Sequence, residues 1–197
     1  SHQIVEDIAL MRVIPNMSIH VPADAAETRA LVRAAAERRG PAYIRLTREK
    51  SPTVFETYGF DTEKPVILEE GSDVTIIACG YMLSESLKAH AKLKKEGVNA
   101  GVIDMHTIKP IHAQTVVRAA EQSGAVVTVE EHSIVGGLGG AVAEVLAEHC
   151  PTPMRRVGIR DVFGKSGDSR DLLARYNLTS EDIVEAAKDA VKAKKQR

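Results

Sequence analysis

The chain has only two cysteines, Cys79 and Cys150, and neither has a metal-ligand partner at CxxC spacing. Two lone cysteines exclude a disulfide framework and suit a reducing compartment. No apolar run approaches the roughly 18 residues of a membrane span, and no signal peptide is visible. The sequence therefore predicts a cytoplasmic protein that does not enter a membrane.

The chain also lacks an excess of charge of one sign. Its 26 basic and 27 acidic residues give a formal net charge of −1, which argues against a nucleic-acid surface. The basic tail from Lys192 to Arg197 is interpreted as a solvated helix end. Without repeats or low-complexity segments, and with 44% hydrophobic and 27% charged residues, the composition is typical of a globular protein of one or two domains.

A start methionine is missing as well, and the chain begins inside a helical pattern. Apolar residues at positions 4, 5, 8, 9 and 11 predict a helix that starts at about residue 2. Such a beginning indicates a piece of a larger body. We therefore expect groups that precede Ser1 to hold part of the chemistry.

Strand-like and helix-like segments alternate along the chain, which is typical of an α/β protein. In the first block, the opening helix is followed by a strand at 18–21, a helix at 25–39 with an N-terminal capping signal, and a strand at 42–46. Two strands and two helices leave sheet edges and apolar helix faces, including Ile4, Ile8 and Met11, in need of a partner. The missing N-terminal part is expected to complete this block, and the chain is expected to form a dimer or a larger species.

A second block follows an aperiodic linker. The patterns predict strands at 66–69, 74–79, 98–104, 125–130 and 154–160, and helices at 82–96, 112–122, 137–149, 169–176 and 180–194. About 130 residues with five strands and five helices can bury a core of their own.

A glycine-rich run from Gly136 to Gly140 lies between a predicted strand and helix, where free backbone N–H groups can hold an anion. However, Val142 stands where a dinucleotide fingerprint needs its third glycine. The preceding acids Glu130 and Glu131 also oppose a phosphate. We interpret the run as a tight turn with close helix packing.

The chain has seven histidines, and each, taken alone, is more often a packed or exposed polar residue than a catalyst. His106 and His132 follow predicted strand ends, where open α/β sheets place ligands. His90 and His149 lie on helices among charged neighbours and are expected at the surface. Because no Ser-His-Asp order or metal cluster can be assembled, the chemistry of the residues alone predicts no more than a soluble α/β protein.

A series of phrases runs in order over nearly the whole chain: His2-Gln3, Glu6-Asp7-Ile8-Ala9, Met11-Arg12, Ile14-Pro15-Asn16-Met17, Pro22-Ala23-Asp24-Ala25, Tyr43-Ile44-Arg45-Leu46-Thr47-Arg48, Met105-His106-Thr107-Ile108-Lys109-Pro110, Glu130-Glu131-His132, Gly136-Gly137-Leu138-Gly139 and Asp161-x-Phe163-Gly164-x-Ser166-Gly167. Together they resemble the transketolase family, and the wording is closest to the C-terminal subunit of split bacterial and archaeal transketolases. Deoxyxylulose-phosphate synthase and the beta subunit of 2-oxoacid dehydrogenases share the architecture. The His-Gln pair and the segment ending at Arg48 favour transketolase among these relatives.

For the fold, the resemblance implies a three-layer α/β C-terminal transketolase-like domain over residues 66–197. Its mixed sheet should be mainly parallel with one antiparallel edge strand. Residues 1–48 would be the C-terminal remnant of an incomplete pyrimidine-binding α/β domain, and residues 49–65 the linker.

For the function, the resemblance implies an enzyme that uses thiamine diphosphate and Mg²⁺ to transfer a two-carbon ketol unit between sugar phosphates. His2 matches the family's active-site histidine, since an imidazole can donate, accept or shuttle a proton near neutral pH. Arg48 matches the arginine that grips the sugar phosphate, a role suited to a guanidinium fork.

Several groups that the family needs have no counterpart in this sequence. These are the glutamate that activates the aminopyrimidine, the aromatic residue that stacks on it, and the pyrophosphate-binding domain. The resemblance thus implies no cofactor-binding residue in this chain, a missing N-terminal part or subunit as partner, a homodimer, and an isolated chain that is inactive. The C-terminal domain would lie away from the chemistry and contribute to dimer contacts.

Two other interpretations remain open. One is a related thiamine enzyme with a different substrate. The other is a non-catalytic assembly or regulatory module that binds a small ligand at the strand ends near His106 and His132.

Overall fold

The computed structural model describes residues 4–196, and His2 therefore lies outside the described residues. The described residues form the following elements in chain order: α1 (Asp7–Arg12), β1 (Ser18–His20), α2 (Ala25–Glu37), β2 (Ala42–Ile44), β3 (Val66–Glu69), β4 (Val74–Ala78), α3 (Met82–Lys95), β5 (Ala100–Asp104), β6 (Thr107–Lys109), α4 (Ala113–Ser123), β7 (Val126–Ser133), α5 (Leu138–His149), β8 (Met154–Ile159), α6 (Ser169–Arg175) and α7 (Ser180–Lys195).

The larger sheet has five strands in the order β3-β5-β4-β7-β8. All neighbours in it are parallel except the edge strand β3, which runs antiparallel to β5. This confirms the mixed, mainly parallel sheet with one antiparallel edge strand.

Alternating side chains of the central strand separate two apolar cores. Ile76 packs in a core with α3 and α7, whereas the next residue, Ile77, packs in a core with α1, α4 and α5. Successive strand residues point to opposite faces of a sheet, so a fully buried run such as β4 fits a sheet covered by helices on both sides. The predicted three-layer α/β architecture is confirmed.

The smaller sheet has three strands in the order β2-β1-β6. β1 pairs with β2 in parallel and with β6 antiparallel, so a strand from the later part of the chain covers one edge of β1. The sequence patterns did not predict β6, because a strand of three residues is too short to show an alternating pattern.

The N-terminal helix differs from its prediction. It begins at Asp7 instead of residue 2, and Ile8, expected on a face that needs a partner, is buried within this chain at 1% exposure. Ile4 does remain exposed. The packing of α1 against the protein's own core explains the difference.

The N-terminal cap of α2 also fastens the linker. One carboxylate oxygen of Asp24 accepts hydrogen bonds from the amides of Ala26 and Glu27, which confirms the predicted capping signal. Its other oxygen accepts from the amides of Val54 and Phe55 at 2.9 and 2.7 Å.

No described helix is both long and apolar enough to cross a membrane.

Candidate functional site

A cleft of about 620 Å³ opens between the segment that follows β2 and the loop that follows β8. Its walls include Asp7 of α1, Glu131 of β7, residues 43–49 and the loop residues 164–167. The carboxyl end of β2 contributes to it, as expected for a ligand site in an α/β protein.

Arg48 lines this cleft and is exposed. Within residues 4–196 its guanidinium makes no ion pair or side-chain hydrogen bond. It lies four residues past the end of β2, which is shorter than the predicted strand 42–46. Arg48 is therefore a cation with its hydrogen-bond donors turned to solvent in a concave surface.

Arg45, three residues earlier, is already engaged. Its Nε donates to both oxygens of Asp7 at 3.1 and 3.3 Å, and its Nη2 donates to the carbonyl of Glu131 at 2.9 Å. Tyr43 also donates to Asp7, at 2.7 Å, and burial together with this carboxylate raises the pKa of Tyr43 to about 12. This group ties α1, β2 and β7 together beneath the cleft.

His132 is fully buried and acts as a cap for α1. Its Nε2 accepts from the amides of Ile8 and Ala9 at 3.1 and 3.4 Å, and its Nδ1 lies 2.7 Å from the carbonyl of Ser133. An acceptor at Nε2 requires the proton on Nδ1, so the imidazole is neutral. Burial lowers the pKa of His132, which favours the same neutral form.

This role differs from the expected one. Because β7 extends to Ser133, His132 lies inside the strand and does not follow it. Both of its ring nitrogens have partners within the protein. No signal in the sequence links His132 to α1, because the two are 124 residues apart.

The glycine-rich run holds an internal anion. The carboxylate of Glu130 accepts from the amides of Leu138 and Gly139 at 2.7 and 2.8 Å, so it occupies the N-terminus of α5. Burial raises the pKa of Glu130 to about 7, and these two amide donors oppose the rise. A Cβ at Gly137 would lie 2.0 Å from the Glu130 carboxylate, which agrees with the interpretation of a tight turn with close packing.

His106 is buried outside the cleft. Its Nδ1 lies 2.8 Å from the hydroxyl of Thr107 and its Nε2 lies 3.0 Å from the carbonyl of Lys64. Burial lowers the pKa of His106 to about 4. Neither His106 nor His132 lines the cleft, and both are fully buried, so the structure does not bring them together as a ligand site.

The two helical histidines have different environments. His149 has 55% of its side chain exposed, as expected. The side chain of His90 has only 14% exposure, and its Nδ1 lies 2.8 Å from the carbonyl of Ala100, so its surface prediction was wrong. The contact with Ala100 of β5, ten residues later in the chain, buries His90.

Sequence reasoning missed a buried pair of carboxyl groups. Glu27 of α2 and Asp104 at the end of β5 are both fully buried, and the carboxyl group of Glu27 acts electrostatically on that of Asp104. Burial raises the pKa of both groups, and the neighbouring Glu27 charge raises that of Asp104 further. Burial and the neighbouring carboxyl group therefore favour the protonated form of Asp104.

Comparison with known families gives two matches. The profile of the transketolase C-terminal domain matches residues 63–183, and that of the transketolase pyrimidine-binding domain matches residues 1–53.

Individual relatives agree with these matches. A 6-deoxy-6-sulfo-D-fructose transketolase subunit of Clostridium sp. (strain MSTE9) is 42% identical over 198 residues, which are 100% of this chain and 62% of that protein. An apulose-4-phosphate transketolase subunit from Phocaeicola vulgatus is 39% identical over 98% of this chain and 62% of its own length. The chain thus spans about three fifths of the length of these curated relatives.

A solved structure is also similar. It is described as a split gene transketolase in an inactive beta4 tetramer, and it superposes with a TM-score of 0.94 at 51% identity. The match covers 98% of this chain and 64% of that one.

Proposed function

Since this chain belongs to the transketolase family, we propose that it is the C-terminal part or subunit of a thiamine-diphosphate-dependent transketolase. The complete enzyme would transfer a two-carbon ketol unit between sugar phosphates. The observation that carries this proposal is Arg48, which lines an open cleft and has no ion pair within the described residues. A guanidinium in this state can offer paired donors to the phosphate of a sugar.

Arg45 would serve this site in a different way. Its contacts with Asp7 and Glu131 leave it no free donor pair for a ligand, and they fix the wall from which the segment 46–48 departs. We assign Arg48 to substrate binding and Arg45 to the positioning of that wall.

We propose His2 as the catalytic group that hydrogen-bonds the donor sugar. Val5 lines the same cleft, and its carbonyl accepts from the amide of Ser133 at 2.7 Å. The His2-Gln3 pair, which matches the family's active-site phrase, and the position of Val5 on the cleft support this proposal.

The described residues do not fit the cofactor. Within residues 4–196 no group of three or more His, Cys, Asp or Glu side chains is placed to hold a metal ion. The anion-binding amides of α5 are taken by Glu130. We therefore assign thiamine diphosphate and Mg²⁺, which supply the carbanion chemistry, to the N-terminal part or subunit, and we expect this chain alone to be inactive.

We further propose that the chain forms a homodimer, or a larger species that also contains the N-terminal partner. Apolar side chains of α1 and the turn after it support this, because Leu10, Val13 and Ile14 are exposed at 57%, 79% and 38%. Light scattering of the isolated chain at high concentration is expected to give a dimer or more. A strict monomer would contradict the homodimer.

Reconstitution tests the function itself. The complete chain is mixed with the subunit that carries the pyrophosphate-binding domain, thiamine diphosphate and Mg²⁺, and ketol transfer between sugar phosphates is measured. Activity is expected only when both parts are present. Condensation of pyruvate in place of ketol transfer would identify a deoxyxylulose-phosphate synthase, and no turnover by the assembled complex would favour an assembly module.

A further inference from the structure

The loop that follows β8 forms the second wall of the cleft. Gly164, Lys165, Ser166 and Gly167 all line it, and all lie within a motif of the chain to which the proposed function gives no role. The hydroxyl of Tyr176 donates to the carbonyl of Phe163 at 3.2 Å, which anchors this loop to the end of α6.

Lys165 resembles Arg48 in having no ion-pair partner within the described residues. It is exposed, and its ammonium group makes no ion pair or hydrogen bond within residues 4–196. Asp168, three residues later in the chain, makes no ion pair with Lys165, and its carboxylate caps α6 by accepting from the amide of Arg170 at 2.9 Å. The loop therefore presents a free cation to the cleft.

The formal charges of the side chains that line the cleft cancel, but some of these side chains have no ion-pair partner. Asp7 and Glu131 are both held by Arg45. This leaves Arg48 and Lys165 as free cations, with Glu49 as the free carboxylate on the lining formed by the described residues. Two unpaired cations on one cleft lining, against one free carboxylate, favour an anionic ligand with several oxygen acceptors.

We propose that Lys165, like Arg48, binds the terminal oxyanion of the sugar substrate and helps to select charged over neutral sugars. This gives the C-terminal domain a part in the site, which differs from the expectation that it lies away from the chemistry. This inference rests on the proposed function. Its ligand chemistry is a tetrahedral oxyanion, which phosphate and sulfonate share. A lysine is a compact charge on a flexible stem, so it can follow either group without the fixed geometry of a guanidinium.

The first test uses the reconstituted enzyme with Lys165→Gln. Because the site is open to water, we expect the KM for a sugar phosphate to rise about three- to tenfold, with kcat and the KM for hydroxypyruvate unchanged. Lys165→Arg should restore most of the affinity. Lys95→Gln, at an exposed lysine outside the cleft, is the matched control and should change nothing.

Glu49→Gln provides a test of the opposite sign. Removal of the free carboxylate should lower the KM for the sugar phosphate by about two- to fivefold and leave that for hydroxypyruvate unchanged. A sulfonated sugar assayed beside the phosphate identifies the source of the oxyanion. If Lys165→Gln weakens both, the residue recognises the shared oxyanion, whereas unequal effects name the preferred group.

A binding measurement separates failure of this inference from failure of the proposed function. Inorganic phosphate is titrated into the full chain while the amide resonances of Ser166 and Gly167 are followed by NMR. Saturable shifts that disappear in Lys165→Gln and persist in Lys95→Gln are expected even if the complex shows no ketol transfer. Shifts that are equal in both variants, or equal KM changes for charged and neutral substrates, would overturn the role of Lys165.

Discussion

Two arginines three positions apart have opposite roles because their surroundings differ. Arg45 has 14% of its side chain exposed and is bound to two carboxylates, so its charge is already compensated. Arg48 is exposed on the cleft and has no such partner in the described part of the chain. A side chain with unused donors in a concave surface can bind a ligand without first breaking contacts within the protein.

Arg48→Ala is therefore expected to raise the KM for phosphorylated sugars in the reconstituted enzyme. A charged hydrogen bond contributes about 1.5–3 kcal/mol, which corresponds to roughly one to two orders of magnitude in KM. Hydroxypyruvate lacks the phosphate, so its kinetics should hardly change. Lys50→Ala, at an exposed lysine outside the cleft, is the control.

Steady-state kinetics with both substrate types decide this prediction. Equal losses for phosphorylated and unphosphorylated substrates would indicate a folding defect. They would end the assignment of Arg48 to phosphate binding.

At the scale of elements, α1 depends on a distant strand. It has only six residues, and its own N-cap residue, Glu6, provides no side-chain cap. An isolated helix of this length is not stable in water. Its first amides are satisfied by His132 of β7, and the ion pair of Asp7 with Arg45 holds its first turn.

His132→Ala should consequently destabilise the chain by about 1–3 kcal/mol, because the buried amides of Ile8 and Ala9 lose their acceptor. Urea unfolding measures this loss, and faster hydrogen exchange at those two amides locates it. His149→Ala, at the largely exposed histidine of α5, is the control. Unchanged exchange at Ile8 and Ala9 would show that His132 is not the cap.

The same contact has a pH dependence. The pKa of His132 is lowered in the folded state, so the unfolded chain binds more protons below pH 6.5. The stabilisation by neutral His132 is complete above pH 6.5 and is lost as the pH falls toward the pKa of His132 in the folded chain. In His132→Ala the loss of stability over this acid range should be smaller.

At the scale of the whole molecule, buried polar contacts join the first 48 residues to the rest. β6 pairs with β1, the linker amides bind Asp24, and the buried carboxyl group of Asp104 of β5 interacts with that of Glu27 of α2. The Glu27–Asp104 contact is weakened as the pH rises, whereas the contact of a buried neutral histidine is weakened as the pH falls. Two carboxyl groups in a low-dielectric interior cannot both be charged without a large cost.

Asp104→Asn is expected to stabilise the chain by about 1 kcal/mol near pH 8. The folded pKa of Asp104 is raised, so its stabilisation is present at acid pH and is lost as the pH rises through that value. An asparagine side chain carries no charge at any pH, so it adds no repulsion to the Glu27 carboxylate. Thermal unfolding at pH 5 and pH 8 should show an advantage that grows with pH.

Asp161→Asn, at an exposed aspartate, serves as the control and should show no such trend. A constant difference between Asp104→Asn and the parent from pH 5 to pH 8 would contradict a raised pKa of Asp104 in the folded chain.

Local sequence patterns were sufficient for the α/β class and for most of the elements. Hydrophobic periodicity and a capping residue such as Asp24 act within one or two turns, so the bounds of α2 follow closely from them. The family phrases also directed attention to Arg48 before any geometry was known. These features are local, or they reside in the order of residues along the chain.

Only the tertiary structure decided what the buried polar groups do. β6 exists because β1 lies beside it, Glu130 occupies the N-terminus of α5, and His132 caps a helix 124 residues away. The Glu27–Asp104 pair likewise requires two distant segments to meet. A polar side chain carries no local signal of its burial or its partner, because both are set by which surfaces pack together.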